Sequence, residues 1–160
     1  MKTAGKPEPL RPPAFCYQRA ERRSEPLTLF CELVALERLA ERHGTPLYVY
    51  SAGTIRARIQ AFRRAFRTVP YTLCYSVKAN STLGILWLIA RQGAGFDVVS
   101  GGELHRVVRV APRAARSVVF SGVGKTVPEM ELALKDGILL FNIESASELR
   151  TLAETSARRK

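Results

Sequence analysis

Apolar positions along the chain fall into short clusters whose spacing changes character near residue 70. Leu27-Thr28-Leu29-Phe30-Cys31 reads as a short strand. Leu36, Leu39 and Ala40 are spaced for one face of a short helix, and Gly44 stops it. Pro46 precedes Leu47-Tyr48-Val49-Tyr50, an aromatic and β-branched run that predicts a second strand. Ser51 is placed to cap a following helix, whose apolar stripe is Ile55, Ile59, Phe62 and Phe66. Beyond residue 70 a regular rhythm begins. Strand-like runs start near Tyr71, Gly95, Ser117 and Ile138, at intervals of 24, 22 and 21 residues. Helical patterns occupy 83–91, 102–110, 127–135 and about 145–157, with Gly93 and Gly137 where helix C-caps fall.

Strand–helix alternation at this period predicts an α/β fold built from right-handed βαβ units around a parallel sheet. Four such units fit. A closed (β/α)8 barrel needs about 250 residues, so the pattern predicts either a small doubly wound domain or about half a barrel. The preceding stretch, 1–26, is proline-rich and mixes both charge signs, and is read as an irregular leader. The expected division is therefore a leader over 1–26, a strand–helix–strand segment over 27–50 and the βα units over 51–160.

Composition narrows the function classes. Of 160 residues 46% are hydrophobic, enough for a packed core. No apolar run approaches the about 18 residues of a membrane span, and the basic N-terminal residues lead into no apolar segment of a secretory signal. Three scattered cysteines without a CxxC pair fit a reducing, cytoplasmic setting rather than a disulfide framework, and read as small buried hydrophobes. The net charge of +11 comes from arginines spread over several segments without interleaved aromatic residues. This favours solvated helix faces over a nucleic-acid surface. Two glycine motifs are decoys. Gly122-Val123-Gly124-Lys125-Thr126 lacks the upstream glycine of a P-loop, where Val119 stands, and Gly93-Ala94-Gly95 precedes a strand instead of following one. His43 and His105 show no metal-ligand spacing.

The informative segment is Cys74-Tyr75-Ser76-Val77-Lys78-Ala79-Asn80. Lys78 falls at the end of an apolar strand, and in a parallel barrel the strand C-termini form the active-site face. A lysine there is either a partly desolvated amine with a lowered pKa, able to act as a nucleophile, or a strand-end side chain reaching for solvent.

Four motifs in order separate these readings: Tyr75-Ser76-Val77-Lys78-Ala79-Asn80, Gly95-Phe96-Asp97-Val98-Val99-Ser100-Gly101-Gly102-Glu103-Leu104, Phe120-Ser121-Gly122-Val123-Gly124-Lys125-Thr126 and Phe141-Asn142-Ile143-Glu144-Ser145. Together they resemble the diaminopimelate decarboxylases, in the alanine racemase-like, fold-type III family of pyridoxal 5'-phosphate (PLP) enzymes. The resemblance runs from about Phe30 to Leu152. It implies the N-terminal half of a (β/α)8 TIM barrel, preceded by strands belonging to a β-domain whose remainder has no counterpart here. It implies that Lys78 is the lysine that binds PLP covalently and later serves in proton transfer. Asp97 matches a carboxylate near the cofactor and Glu103 a glutamate that helps fix the site. Without the resemblance, Asp97 could equally cap a turn and Glu103 could be a helix-start charge. Lys125 and Glu144 are candidate site-lining residues at strand ends.

The implied reaction is decarboxylation of meso-diaminopimelate to L-lysine, in a homodimer with shared active sites. The family's ring-stacking histidine, glycine-rich phosphate loop, pyridine-binding glutamate and β-domain cysteine segment have no counterpart in the sequence. The expectation is therefore an N-terminal portion that is inactive alone. A non-catalytic partial-barrel interaction protein and another fold-type III amino-acid decarboxylase or racemase are the alternatives.

Overall fold

A computed structural model describes residues 14–19 and 27–158. The chain divides into two compact units, one ending at Arg58 and one beginning at Ile59.

In the first unit three antiparallel strands, β1 (Phe15–Gln18), β2 (Thr28–Cys31) and β3 (Val34–Ala35), form a sheet in that order. Helix α1 (Leu36–His43) follows directly and ends at Gly44, as the sequence predicts. Glu32 makes the tight turn between β2 and β3 with a left-handed φ of 57°. Its carboxylate accepts from Ser51 Oγ (2.6 Å) and Gly53 N (2.7 Å), and so secures the start of helix α2 (Ala52–Ala65). Ser51 caps that helix, accepting from Thr54 N at 2.9 Å. These two hydrogen bonds hold the Glu32 carboxyl below the ordinary glutamate range.

Two sequence expectations differ from the structure here. Residues 15–18, read as part of an irregular leader, form β1, which pairs Phe15 with Cys31 and Gln18 with Thr28. Residues 1–13 and 20–26 of that leader lie outside the described residues. Leu47–Tyr50, read as a strand, joins no ladder among the described residues, and Tyr48 is 84% exposed. Its aromatic and β-branched composition suits a strand, but a strand exists only with a partner to take its backbone hydrogen bonds.

The second unit is the rhythmic part. Strands β4 (Cys74–Ser76), β5 (Gly95–Val98), β6 (Val118–Phe120) and β7 (Leu140–Phe141) form one parallel sheet in chain order. Each is followed by a helix: α3 (Leu83–Arg91), α4 (Gly101–Val110), α5 (Val127–Asp136) and α6 (Ala146–Ala157). Consecutive helices pack on one another, α3 on α4, α4 on α5 and α5 on α6. Sequential strand order with the helices in one row is barrel topology. A doubly wound sheet reverses its order and places helices on both faces.

Side-chain parity divides the sheet into two faces. Phe96, Val98, Val118 and Phe120 are fully buried on the helix side, with Leu86 and Ile89 of α3, Leu104 and Val107 of α4, and Met130 and Ala133 of α5. The alternate residues Ser76, Asp97, Val119 and Leu140 are level with one another on the opposite, more open face. Gly95 is required where it stands, because a Cβ there would lie 2.3 Å from the Ser117 carbonyl oxygen. Among the described residues no helix is long and apolar enough to cross a membrane.

Candidate active site

Every βα unit delivers a polar residue to the C-terminal rim of the sheet, and the register explains why. Ser76 and Asp97 are paired neighbours. Ser121 and Asn142 follow β6 and β7 directly, and their backbone N–H groups still donate to the adjacent strand, to Val98 O (2.8 Å) and Phe120 O (2.9 Å). The four side chains are hydrogen bonded in series. Ser76 Oγ donates to Asp97 Oδ2 at 3.5 Å, Ser121 Oγ donates to Asp97 Oδ1 at 2.5 Å, and Asn142 Nδ2 donates to Ser121 Oγ at 2.9 Å. Beneath the rim Cys74 is half-buried, and burial, followed by the charge of Asp97, pushes its thiol up.

Lys78 leaves the sheet at this rim. β4 ends at Ser76, and Lys78 is the middle residue of a 3-10 turn, Val77–Ala79. Its side chain is exposed, and no hydrogen bond or ion pair engages it among the described residues. The expected desolvation is therefore not the feature that distinguishes it. The strand is shorter than the apolar run implied, and the turn carries Lys78 outward. What marks this amine is its place at the rim.

Lys125 is the desolvated lysine. Its side chain is 1% exposed, and its Nζ donates to Gly122 O (2.6 Å), Asn142 O (2.7 Å) and Glu148 Oε1 (2.6 Å). An ammonium has three N–H groups, and all three are used. Read from sequence as a candidate site-lining residue, Lys125 is instead a buried clamp joining the loops after β6 and β7 to α6. The Gly122 of the same motif shapes the turn, with φ 89° and the Val99 side chain 3.2 Å from where its Cβ would be. Glu144, the other candidate, is exposed.

Glu103 sits in the first turn of α4. Its Oε2 accepts from Val99 N at 2.9 Å, while Ser100 Oγ accepts from Glu103 N at 3.3 Å. The carboxylate thus braces the β5–α4 loop, two residues beyond Asp97. The same Ser/Thr-x-x-Glu signature stands at the start of three helices, as Ser100/Glu103, Thr126/Glu129 and Ser145/Glu148. Glu129 is the member with the widest reach, and sequence reasoning passed over it. One oxygen accepts from Thr126 N and Oγ (2.9 and 2.8 Å), and the other from Gly101 N (2.8 Å) at the start of the neighbouring helix. The Gly101 hydrogen bond leads the effects that hold the Glu129 carboxyl below the ordinary range.

A carboxyl depressed in the folded state stabilises above its unfolded pKa and loses that contribution as pH falls through the folded value. Glu129→Gln is therefore expected to be less stable than the wild type at neutral pH. The difference should shrink in acid, as denaturant unfolding at stepped pH will show. A pH-independent difference would contradict this role.

The four-strand parallel sheet carries Lys78 just beyond its C-terminal rim, and comparison with known proteins supplies the family. Residues 52–160 match the family described as pyridoxal-dependent decarboxylase, pyridoxal binding domain, and the chain belongs to that family. PLP is the family's cofactor. Among the similar proteins are diaminopimelate decarboxylases. That of Pseudomonas aeruginosa is 50% identical over 143 residues, covering 89% of this chain and 32% of that protein. The M. jannaschii enzyme in complex with L-lysine superposes with a TM-score of 0.75 at 36% identity, over 82% of this chain and 32% of that one. The Helicobacter pylori enzyme with L-lysine gives 0.72 at 39% identity, over 78% and 31%. The chain spans about a third of the length of the curated relatives it matches. The sequence expectations of family and half-barrel fold agree with these matches.

Proposed function

We propose that the chain is the cofactor-anchoring part of a diaminopimelate decarboxylase, with Lys78 as the residue that binds PLP. The observation that carries the reading is the exposed, unengaged Lys78 amine at the same sheet rim as Asp97. The donor set fits the cofactor. A primary amine without partners is available to an aldehyde, whereas the ammonium of Lys125 is fully committed. When bound, PLP supplies the electron sink for loss of CO2 from an amino acid. Lys78 holds the cofactor and, once released from it, is placed to move a proton at its Nζ. Asp97 supplies a fixed carboxylate at the same rim. Glu103 keeps the β5–α4 loop in register through Val99 N. The substrate meso-diaminopimelate, the product L-lysine, a homodimer with shared sites and a cytoplasmic setting belong to the same proposal. It draws support from the relatives' names and from the L-lysine bound in their structures.

A chimera tests it. Residues 52–158 replace the matching segment of the Pseudomonas aeruginosa enzyme, and CO2 release from meso-diaminopimelate is measured. The chimera is expected to turn over, and its Lys78→Ala form to lose activity by several orders of magnitude. A folded chimera that is inactive, or one indifferent to Lys78→Ala, would overturn the reading.

A further inference from the structure

The rim network has a direction, which runs from Asn142 through Ser121 to Asp97. A carboxylate can only accept, so the Ser121 hydroxyl proton is committed to Asp97 Oδ1. The remaining partner of that hydroxyl must then donate, which is what the Asn142 amide nitrogen does. The far end of the series is anchored, because Lys125 Nζ holds the Asn142 carbonyl and is itself held by Glu148. Asp97 Oδ1 is thus engaged by a short hydrogen bond, while Oδ2 meets only Ser76 at the long limit of 3.5 Å. Oδ2 lies on the β4 side of the carboxylate, the side from which Lys78 emerges two residues after Ser76.

We infer that Ser121 and Asn142 are positioning residues for attachment of the cofactor. They hold Asp97 by one oxygen so that the other presents a fixed negative charge on the Lys78 side. The inference rests on the reading of Lys78 as the PLP anchor. In the attachment step the Lys78 nitrogen bonds to the aldehyde carbon of PLP and the C=O bond is replaced by C=N. Starting from the ammonium, two protons leave with the aldehyde oxygen as water, and the third stays on nitrogen with the positive charge. The ammonium offers three N–H groups to water and the product only one. The product cation therefore depends more on an oriented counter-charge, and fixing Asp97 favours attachment.

The test uses the full 160-residue chain, PLP and borohydride, with the label on the Lys78 peptide quantified. Ser121→Ala and Asp97→Asn are each expected to lower that label about tenfold, the scale of one hydrogen bond to a charged group. Asn142→Ala should lower it by a smaller factor, and Ser121→Thr, which keeps the hydroxyl, should restore it. Label on the exposed Lys135 should be unchanged throughout, which a general loss of structure would not produce. If Ser121→Ala fails to fold, Asn142→Ala decides, because that side chain is exposed. Wild-type labelling in the Ser121 and Asn142 variants, with Asp97→Asn still reduced, would overturn the inference and leave Lys78 as the anchor. A wild-type chain with no preference for Lys78 would overturn both.

Discussion

Lys125→Ala is expected to lower the unfolding free energy by about 3–5 kcal/mol, the cost of leaving one member of a buried ion pair alone. The two side chains are 1% and 8% exposed and 2.6 Å apart. Removing the ammonium strands the Glu148 carboxylate in a nearly dry site and leaves the Gly122 and Asn142 carbonyls without their donor. The double variant Lys125→Met/Glu148→Leu should lose much less, because no charge is left buried, and its remaining deficit should reflect the two carbonyls. Urea unfolding of the wild type and the two variants gives the comparison directly. A loss below about 1 kcal/mol in Lys125→Ala is the value of an exposed pair and would mean that the clamp is open to water in solution. The effect reaches the rim as well, since the carbonyl released belongs to Asn142.

That clamp marks the boundary of what the sequence makes legible. The strand–helix rhythm from residue 71 locates four βα units because each apolar run must alternate with a helix that covers it, and the observed sheet follows that order. It also brings Lys78, Asp97, Ser121 and Asn142 to one rim, since each ends or follows a strand. The choice between half a barrel and a doubly wound sheet was open from periodicity alone. Strand order and the packing of consecutive helices decide it, and neither is a local property.

The same limit explains the lysines. Lys78 and Lys125 both sit beyond apolar strands in sequence. Lys125 is buried because Glu148, 23 residues on, comes to meet it. Lys78 is exposed because β4 stops after three residues and yields to a turn. Three of the four Ser/Thr-x-x-Glu patterns stand at helix starts, and the fourth, Thr151/Glu154, lies inside α6. Only packing reveals that Glu103 stays at its own helix, Glu129 reaches the next one, and Glu148 turns away to Lys125. In the first unit the alternation of Phe15 and Tyr17 is too short to distinguish β1 from a proline-rich leader, and Leu47–Tyr50 has strand composition without a ladder.

Lys78 is expected to be the amine that takes PLP in this fold. The direct measurement is borohydride trapping of PLP on the intact chain, followed by peptide mapping of all six lysines in the wild type and in Lys78→Ala. The account predicts that most of the label resides on Lys78 and disappears in the variant. It further predicts that Lys125, whose three N–H groups are already taken, stays unmodified while the chain is folded. Label distributed over the lysines in proportion to their exposure, and persisting when Lys78 is alanine, would contradict it.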